Sequence, residues 1–236
     1  MQAETVAILV DGGFFQYRAK HLWGSATAQE RADQLEKYCS AHLRHNLDHR
    51  TEYDRLYRIF YYDCPPASEN VFHPLLQKDI FLKKTELYSY MTKFHDALRC
   101  KRKVALRLGK LSSDIHYVLT LDAQKKLLRG TITVDQLTEK DFTLDVGQKG
   151  VDMRIGLDIS SMAFKKQVTR MILISGDSDF VPAAKQARRE GIDFLLDPMG
   201  ANITADLSEH IDGLQTRWKL YQKKEDSNNV KESPLK

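Results

Sequence analysis

The sequence predicts an α/β protein of three layers, with a central, mainly parallel sheet of five strands and helices on both faces. Three observations lead there. Short apolar runs rich in β-branched residues recur, as in Val6-Ala7-Ile8-Leu9-Val10 and Met171-Ile172-Leu173-Ile174, and such unalternating strands are covered on both faces. Segments with helical spacing separate them, the pattern of parallel sheets with right-handed crossovers. Finally, acids stand just past predicted strand ends, where open parallel sheets collect ligands.

The first strand runs from Thr5 to Val10 and is ended by Asp11-Gly12-Gly13, where two glycines permit positive φ and close backbone approach. A helix is expected from Phe14. A longer one is expected from about Thr27 to Arg50, with Thr27 and Glu30 at capping-box spacing. Asp54 to Tyr62 alternates and is aromatic-rich, a second strand stopped by Cys64-Pro65-Pro66. Ser68 to Leu98 reads as one or two helices, and Lys103 to Leu108 as the third strand. Between Ser112 and Val146 the pattern is mixed, with a helical piece at Ala123 to Leu128 and strand-like pieces at Thr131 to Val134 and Phe142 to Leu144. This stretch is expected to be an elaboration that caps the ligand crevice.

Gly150 to Phe164 is an amphipathic helix, and Val168 to Ile174 the fourth strand. Ser178 or Asp179 is expected to cap the next helix, with Pro182 in its first turn, where a missing N–H is tolerated. Gly191 ends that helix, Ile192 to Leu196 makes the fifth strand, and a last helix is expected from Ile203 to Tyr221. Residues 1–222 therefore read as a single domain. The polar, charged stretch from Lys223 to Lys236 reads as a disordered tail.

Composition narrows the function. The chain has 236 residues, 42% hydrophobic and 29% charged, ample for a buried core under an ordinary charged surface. No apolar stretch approaches the roughly 20 residues needed to span a bilayer, and Met1 to Thr5 carries no basic leader. A cytoplasmic protein is expected. Cys39, Cys64 and Cys100 form neither a zinc signature nor a disulfide framework and read as reduced structural thiols. His42, His45 and His49 are spaced to share one solvated helix face. The net charge of +4 is gathered in runs such as Arg99-Cys100-Lys101-Arg102-Lys103 and Arg188-Arg189, which fits a polyanionic substrate.

The acids carry the chemistry. Asp11 follows a buried strand, Asp152 opens a helix after Lys149-Gly150-Val151, and Asp177 and Asp179 share the turn Ser175-Gly176-Asp177-Ser178-Asp179. Carboxylates gathered in one crevice repel unless a cation lies among them, and a divalent, oxygen-loving metal is the simplest candidate. Asp158 is six residues beyond Asp152, about 240° around a helix, so the two cannot point squarely at one ion. Asp158 is expected to pack on polar neighbours or to orient a ligand from behind, and Ser175 to hydrogen-bond at the site's edge. Lys149 and Arg154 are placed to contact phosphate. Gly12-Gly13 is not GxGxxG, and neither GxxxxGK[ST] nor GxSxG occurs, which argues against dinucleotide, P-loop and serine-hydrolase chemistry. An aspartyl-nucleophile phosphatase would carry a second acid two residues after the first, where this chain has Gly13.

The blocks Val6-Ala7-Ile8-Leu9-Val10-Asp11-Gly12-Gly13, Lys149-Gly150-Val151-Asp152 continuing to Leu157-Asp158, and Ile172-Leu173-Ile174-Ser175-Gly176-Asp177-Ser178-Asp179-Phe180-Val181-Pro182 resemble the NYN domain family, LabA-like members of the PIN-like nuclease class. The resemblance covers roughly residues 5–200, and its last block is specific in residues and spacing. It implies a PIN-like sheet of five central parallel strands and an acidic pocket holding Mg²⁺ or Mn²⁺ for RNA cleavage. The family's acidic positions fall on Asp11, Asp152, Asp177 and Asp179. Many relatives carry Asn three residues after the first acid, where this chain has Phe14. That departure keeps a second function in view, an RNA- or nucleotide-binding module without turnover. The Ser112 to Val146 stretch is longer than a minimal domain of this kind needs.

Overall fold

A computed structural model describes residues 3–47, 50–217 and 219. The chain opens with β1 (Thr5–Asp11), α1 (Gly12–Trp23) and α2 (Ala28–His42), then a hairpin of β2 (Arg44–Leu47) and β3 (Arg50–Tyr53). β4 (Arg55–Asp63) is followed by a second hairpin, β5 (Asn70–His73) and β6 (Lys78–Phe81), and by α3 (Glu86–Arg99) and β7 (Val104–Leu108). A third hairpin, β8 (Lys110–Leu119) and β9 (Phe142–Lys149), carries α4 (Leu121–Leu128) at its tip. The last part is α5 (Val151–Phe164), β10 (Arg170–Ile174), α6 (Val181–Arg189), β11 (Asp193–Asp197), α7 (Ala205–Glu209) and β12 (Gly213–Leu214).

Six strands form the central sheet in the order β12-β11-β10-β1-β4-β7, each neighbouring pair parallel. The core follows from strand periodicity. Every residue from Val6 to Val10 has no exposed surface, and successive side chains point to opposite faces. Ala7 and Leu9 pack with Ile155, Ile159, Phe180 and Ala184 of the α5–α6 layer. Val6, Ile8 and Val10 pack with Phe15, Leu35 and Phe94 of the α1–α2–α3 layer. Helices therefore cover both faces, as expected, and the Thr27–Glu30 capping box opens α2.

The structure corrects several expectations. The sheet has six strands, not five. The stretch from Ile203 to Tyr221 is not one helix, because Asp212 pins the chain to the sheet instead. Its carboxylate accepts from Phe194 N–H at 2.8 Å and from Arg188 at 2.8 Å, and β12 forms just beyond it. Residues from 220 onward, including the expected tail, lie outside the described residues. The helix from Thr27 stops at His42, and the Leu43 carbonyl accepts from Asp54 N–H at 2.9 Å to begin the β2–β3 hairpin. His42 and His45 therefore do not share a solvated helix face. His42 is buried 2.8 Å from Asp197, and His45 lies 2.6 Å from Asp54, while His49 falls outside the described residues.

Residues 70–81 pair as strands rather than helix. Val71 and His73 turn inward while Asn70 and Phe72 face out, a period of two. The elaboration is wider than 112–146, since β8–β9 pairing runs from Lys110 with Lys149 to Leu119 with Phe142. Thr131 to Val134 is not a strand: Thr131 N–H bonds back to the Lys126 carbonyl at 2.9 Å, and Thr133 opens a 3₁₀ turn over Val134–Gln136. All three cysteines are free, with Cys39 and Cys64 buried and Cys100 exposed. Among the described residues no helix is long and apolar enough to cross a membrane.

Candidate active site at the carboxyl edge of the sheet

β1 and β10 are neighbours in parallel register, Val10 opposite Ile174. Asp11 and the Ser175–Asp179 turn therefore leave the sheet side by side. Asp11 ends β1 and caps α1, one carboxylate oxygen accepting from Phe14 N–H at 3.2 Å. Its other oxygen accepts from the hydroxyl of fully buried Ser175 at 3.3 Å. Ser175 Oγ in turn accepts from Asp177 N–H at 3.3 Å. Asp177, not Ser178 or Asp179, caps the turn after β10, accepting from Asp179 N–H at 2.9 Å. Backbone and hydroxyl donors thus thread Asp11, Ser175, Asp177 and Asp179 into one chain. Asp152 joins from the first turn of α5, after Gly150 in a left-handed conformation with φ of 76°.

The electrostatics of this group are one-sided. Burial raises the Asp11 carboxyl above its ordinary range, and Asp152 and Asp177 push it further up against the opposing pull of the Phe14 N–H and Ser175. Asp152 is likewise raised, by desolvation and then by Asp177 and Asp179. None of the four acids forms an ion pair with a basic side chain among the described residues. Two other strands of the same sheet also end in aspartate, with the opposite outcome. Asp63, ending β4, lies 2.9 Å from His95. Asp197, ending β11, lies 2.8 Å from His42 and accepts from the Tyr38 hydroxyl. Those two buried acids are matched, as buried charge requires, whereas the Asp11 group is not.

Asp11, Asp152 and Asp177 were expected to stand within one metal's reach. The acids act on one another, but among the described residues no three His, Cys, Asp or Glu side chains are gathered into a metal-holding group. Local donors hold the Asp11 and Asp177 carboxylates where they are. The donor set itself suits a hard cation, being all carboxylate and hydroxyl oxygen.

The remaining expected residues separate. Asp158 accepts from the Tyr62 hydroxyl at 2.9 Å and lies 3.3 Å from Arg107 Nε, so it packs on polar neighbours. Lys149 is exposed at the end of β9, and Arg154 is exposed one turn into α5, near enough for its charge to act on the Cys64 thiol. Among the described residues neither forms an ion pair with a carboxylate. Sequence reasoning passed over Asp63 and Asp197. The available signal was an acid at the end of an apolar strand followed at once by Cys64-Pro65 or by Pro198.

No curated protein matches the chain. A solved structure of a protein of unknown function from Vibrio parahaemolyticus is similar, with 16% identity, 92% of this chain and 96% of that chain covered, and a TM-score of 0.47. That likeness is too loose to assign anything. The NYN domain model matches residues 5–205, from the first residue of β1 to the start of α7, and so spans all four acids. The chain belongs to the NYN domain family, a PIN-like family of nuclease type.

Proposed function

We propose that the protein is a metal-dependent ribonuclease that hydrolyses RNA phosphodiester bonds at the carboxyl edge of β1 and β10, with Mg²⁺ or Mn²⁺. One observation carries the reading. Of the three sheet strands that end in aspartate, two have their acid matched by a buried histidine. The third, β1, has no basic partner among the described residues and gains three more acids beside it. Asp11 is half-buried while Asp152, Asp177 and Asp179 are exposed around it; an unmatched carboxylate in that setting costs stability, and sites that keep such a cost are characteristically functional.

Asp11, Asp152 and Asp177 would hold the cation, with Asp179 adding to the negative field. Bound there, the cation would supply the acidity that activates a water and the charge that offsets the phosphate. Ser175, donating to Asp11 and accepting from Asp177 N–H, fixes the relative placing of those two acids. Lys149 and Arg154, exposed and unpaired, contact the phosphates on either side. The mildly basic chain, with net charge +4, favours a polyanion at its surface.

A second reading, an RNA- or nucleotide-binding module without turnover, is favoured by Phe14. Its ring occupies the space over Gly176, where an added Cβ would lie 2.9 Å from Phe14 Cε2, and so places an apolar group beside the acids. Incubating labelled single-stranded and structured RNAs with the full chain in Mg²⁺, Mn²⁺ or EDTA separates the two. Cleavage with either metal and none in EDTA is expected. Binding without cleavage in all three would establish the binding module instead.

A further inference from the structure

Among the described residues, Arg31 is a buried cation that no acid meets. It is the fourth residue of α2 and only 2% exposed. Its Nη1 donates to Gln34 Oε1 at 2.7 Å and its Nη2 to the Gly24 carbonyl at 2.6 Å, both neutral acceptors. Its Nε is buried without a hydrogen-bond partner. The acids nearby on α2 are committed elsewhere. Glu30 closes the capping box with Thr27, and Asp33 and Glu36 each hold Lys101 at 2.7 Å. A guanidinium stays charged at every ordinary pH, and a buried charge is costly unless an opposite charge meets it. The positive end of the α2 dipole adds to that cost.

Arg31 lines an open cavity of about 630 Å³ between α1, α2 and α3, within the size range of ligand pockets. Lys20 and Ser25 line it too, both exposed. Two cations thus face one acid, Glu86, exposed at the start of α3. Neither Lys20 nor Glu86 forms an ion pair among the described residues. The cavity leads towards the acid group along α1. That helix starts beside Asp11, and Gln16 and Lys20 follow Gly12 at intervals of four residues, on one face. Gln16, Leu87 and Met91 line both this cavity and a smaller cleft that Gly12 and Gly13 line as well. At 1.5 Å per residue, Lys20 stands about 12 Å along the helix from Gly12, a span that a short RNA strand covers.

We propose that this cavity is a phosphate site, where Arg31 and Lys20 hold a phosphate of the RNA strand whose cleavage point lies at the acids. The strand rests on reading that edge as a nuclease site; the phosphate rests on the unmatched charge of Arg31. Arginine presents its donors in a planar fork that matches phosphate oxygens, and lysine adds a mobile point charge. A backbone diester and a terminal 5′-phosphate share this chemistry, and binding separates them.

Binding of 3′-labelled hexauridylate, with either a 5′-hydroxyl or a 5′-phosphate, to the full chain in EDTA across a salt series tests the assignment by fluorescence anisotropy. Arg31→Met keeps an unbranched side chain and removes the charge. It is expected to weaken binding about 10-fold, the scale of one hydrogen bond to a charged group. The slope of log K against log salt is expected to flatten by about 0.7, the share of one phosphate contact on a single strand. A merely structural role for Arg31 would leave that slope unchanged. Lys20→Met, at an exposed position, is expected to act the same way, and it decides alone should Arg31→Met lose its native circular dichroism. Loss for both hexamers alike assigns a backbone phosphate, and loss confined to the 5′-phosphorylated one assigns the terminal phosphate. Wild-type affinity and slope in the deciding, folded variant would overturn the proposal. Metal-dependent cleavage by a protein whose binding ignores Arg31 and Lys20 sinks the phosphate site and leaves the nuclease standing. Binding that needs both residues, with no cleavage in any metal, does the reverse.

Discussion

Replacing Asp11 with Asn should make the metal-free protein more stable, although it removes a central acid. The substitution keeps the acceptor that caps α1 through Phe14 N–H at 3.2 Å, and Asn caps helices as well as Asp. Ser175 Oγ, which now donates to Asp11 at 3.3 Å, can accept from the new amide instead. What disappears is a partly buried charge opposed by Asp152 and Asp177. Because the folded-state carboxyl is raised above its ordinary value of 3.8, the native state binds the proton more readily than the unfolded chain does. The penalty is therefore full above the raised value, shrinks as pH falls through it, and is gone below about 3.8. Relief of such functional-site strain is typically worth about 0.5–2 kcal/mol. For a domain of this size that is about 2–4 °C in Tm per kcal/mol. Differential scanning fluorimetry at neutral pH in EDTA should show the variant melting higher. Added Mn²⁺ should reverse the order, since saturation to 100 times Kd stabilises only the wild type, by about 2.7 kcal/mol. A variant that melts lower in EDTA, or that gains the full Mn²⁺ shift, would refute the reasoning.

Three further outcomes follow from the same geometry. Asp158→Asn should cost far less activity than the about 10–100-fold typical of residues that orient metal ligands, because its partners are Tyr62 and Arg107; a steady-state rate comparison checks this. Cleavage products should carry 5′-phosphate and 3′-hydroxyl ends, and a 2′-deoxy nucleotide at the scissile position should still be cut, because among the described residues no histidine pair stands at the acids to serve attack by the 2′-hydroxyl. End-group analysis would show 2′,3′-cyclic phosphate if that assignment is wrong. Asp197→Ala should lower stability by about 3–5 kcal/mol in urea unfolding by stranding His42 and Tyr38, both fully or nearly fully buried, in contrast to the stabilising change at Asp11.

The fold was legible where local pattern and tertiary structure agree. The unbroken apolar run Val6 to Val10 can only be a strand covered on both faces, and the Thr27–Glu30 spacing marks the start of α2. The Ser175 to Asp179 block was legible as a strand-to-helix turn carrying acids, although the cap proved to be Asp177. Short paired elements were not legible. Val71 and His73 are buried because β6 and the β8–β9 hairpin cover them, and β12 exists because Asp212 reaches Phe194 and Arg188. The contrast that singles out Asp11 also lay beyond the sequence, since it depends on His95 meeting Asp63 across 32 residues and on His42 meeting Asp197 from far along the chain. A histidine's partner is fixed by packing, and no spacing rule announces it.

The central claim is that the unmatched acids at the β1–β10 edge exist to hold a catalytic metal, and Asp177→Asn tests it most directly. Asparagine keeps the acceptor for Asp179 N–H, now at 2.9 Å, and removes only the charge. Single-turnover cleavage of labelled RNA in Mn²⁺ is expected to fall at least about 100-fold, the scale of losing one electrostatic contributor to a transition state, with an unchanged circular-dichroism spectrum. Cleavage at the wild-type rate by a folded Asp177→Asn protein would contradict the account.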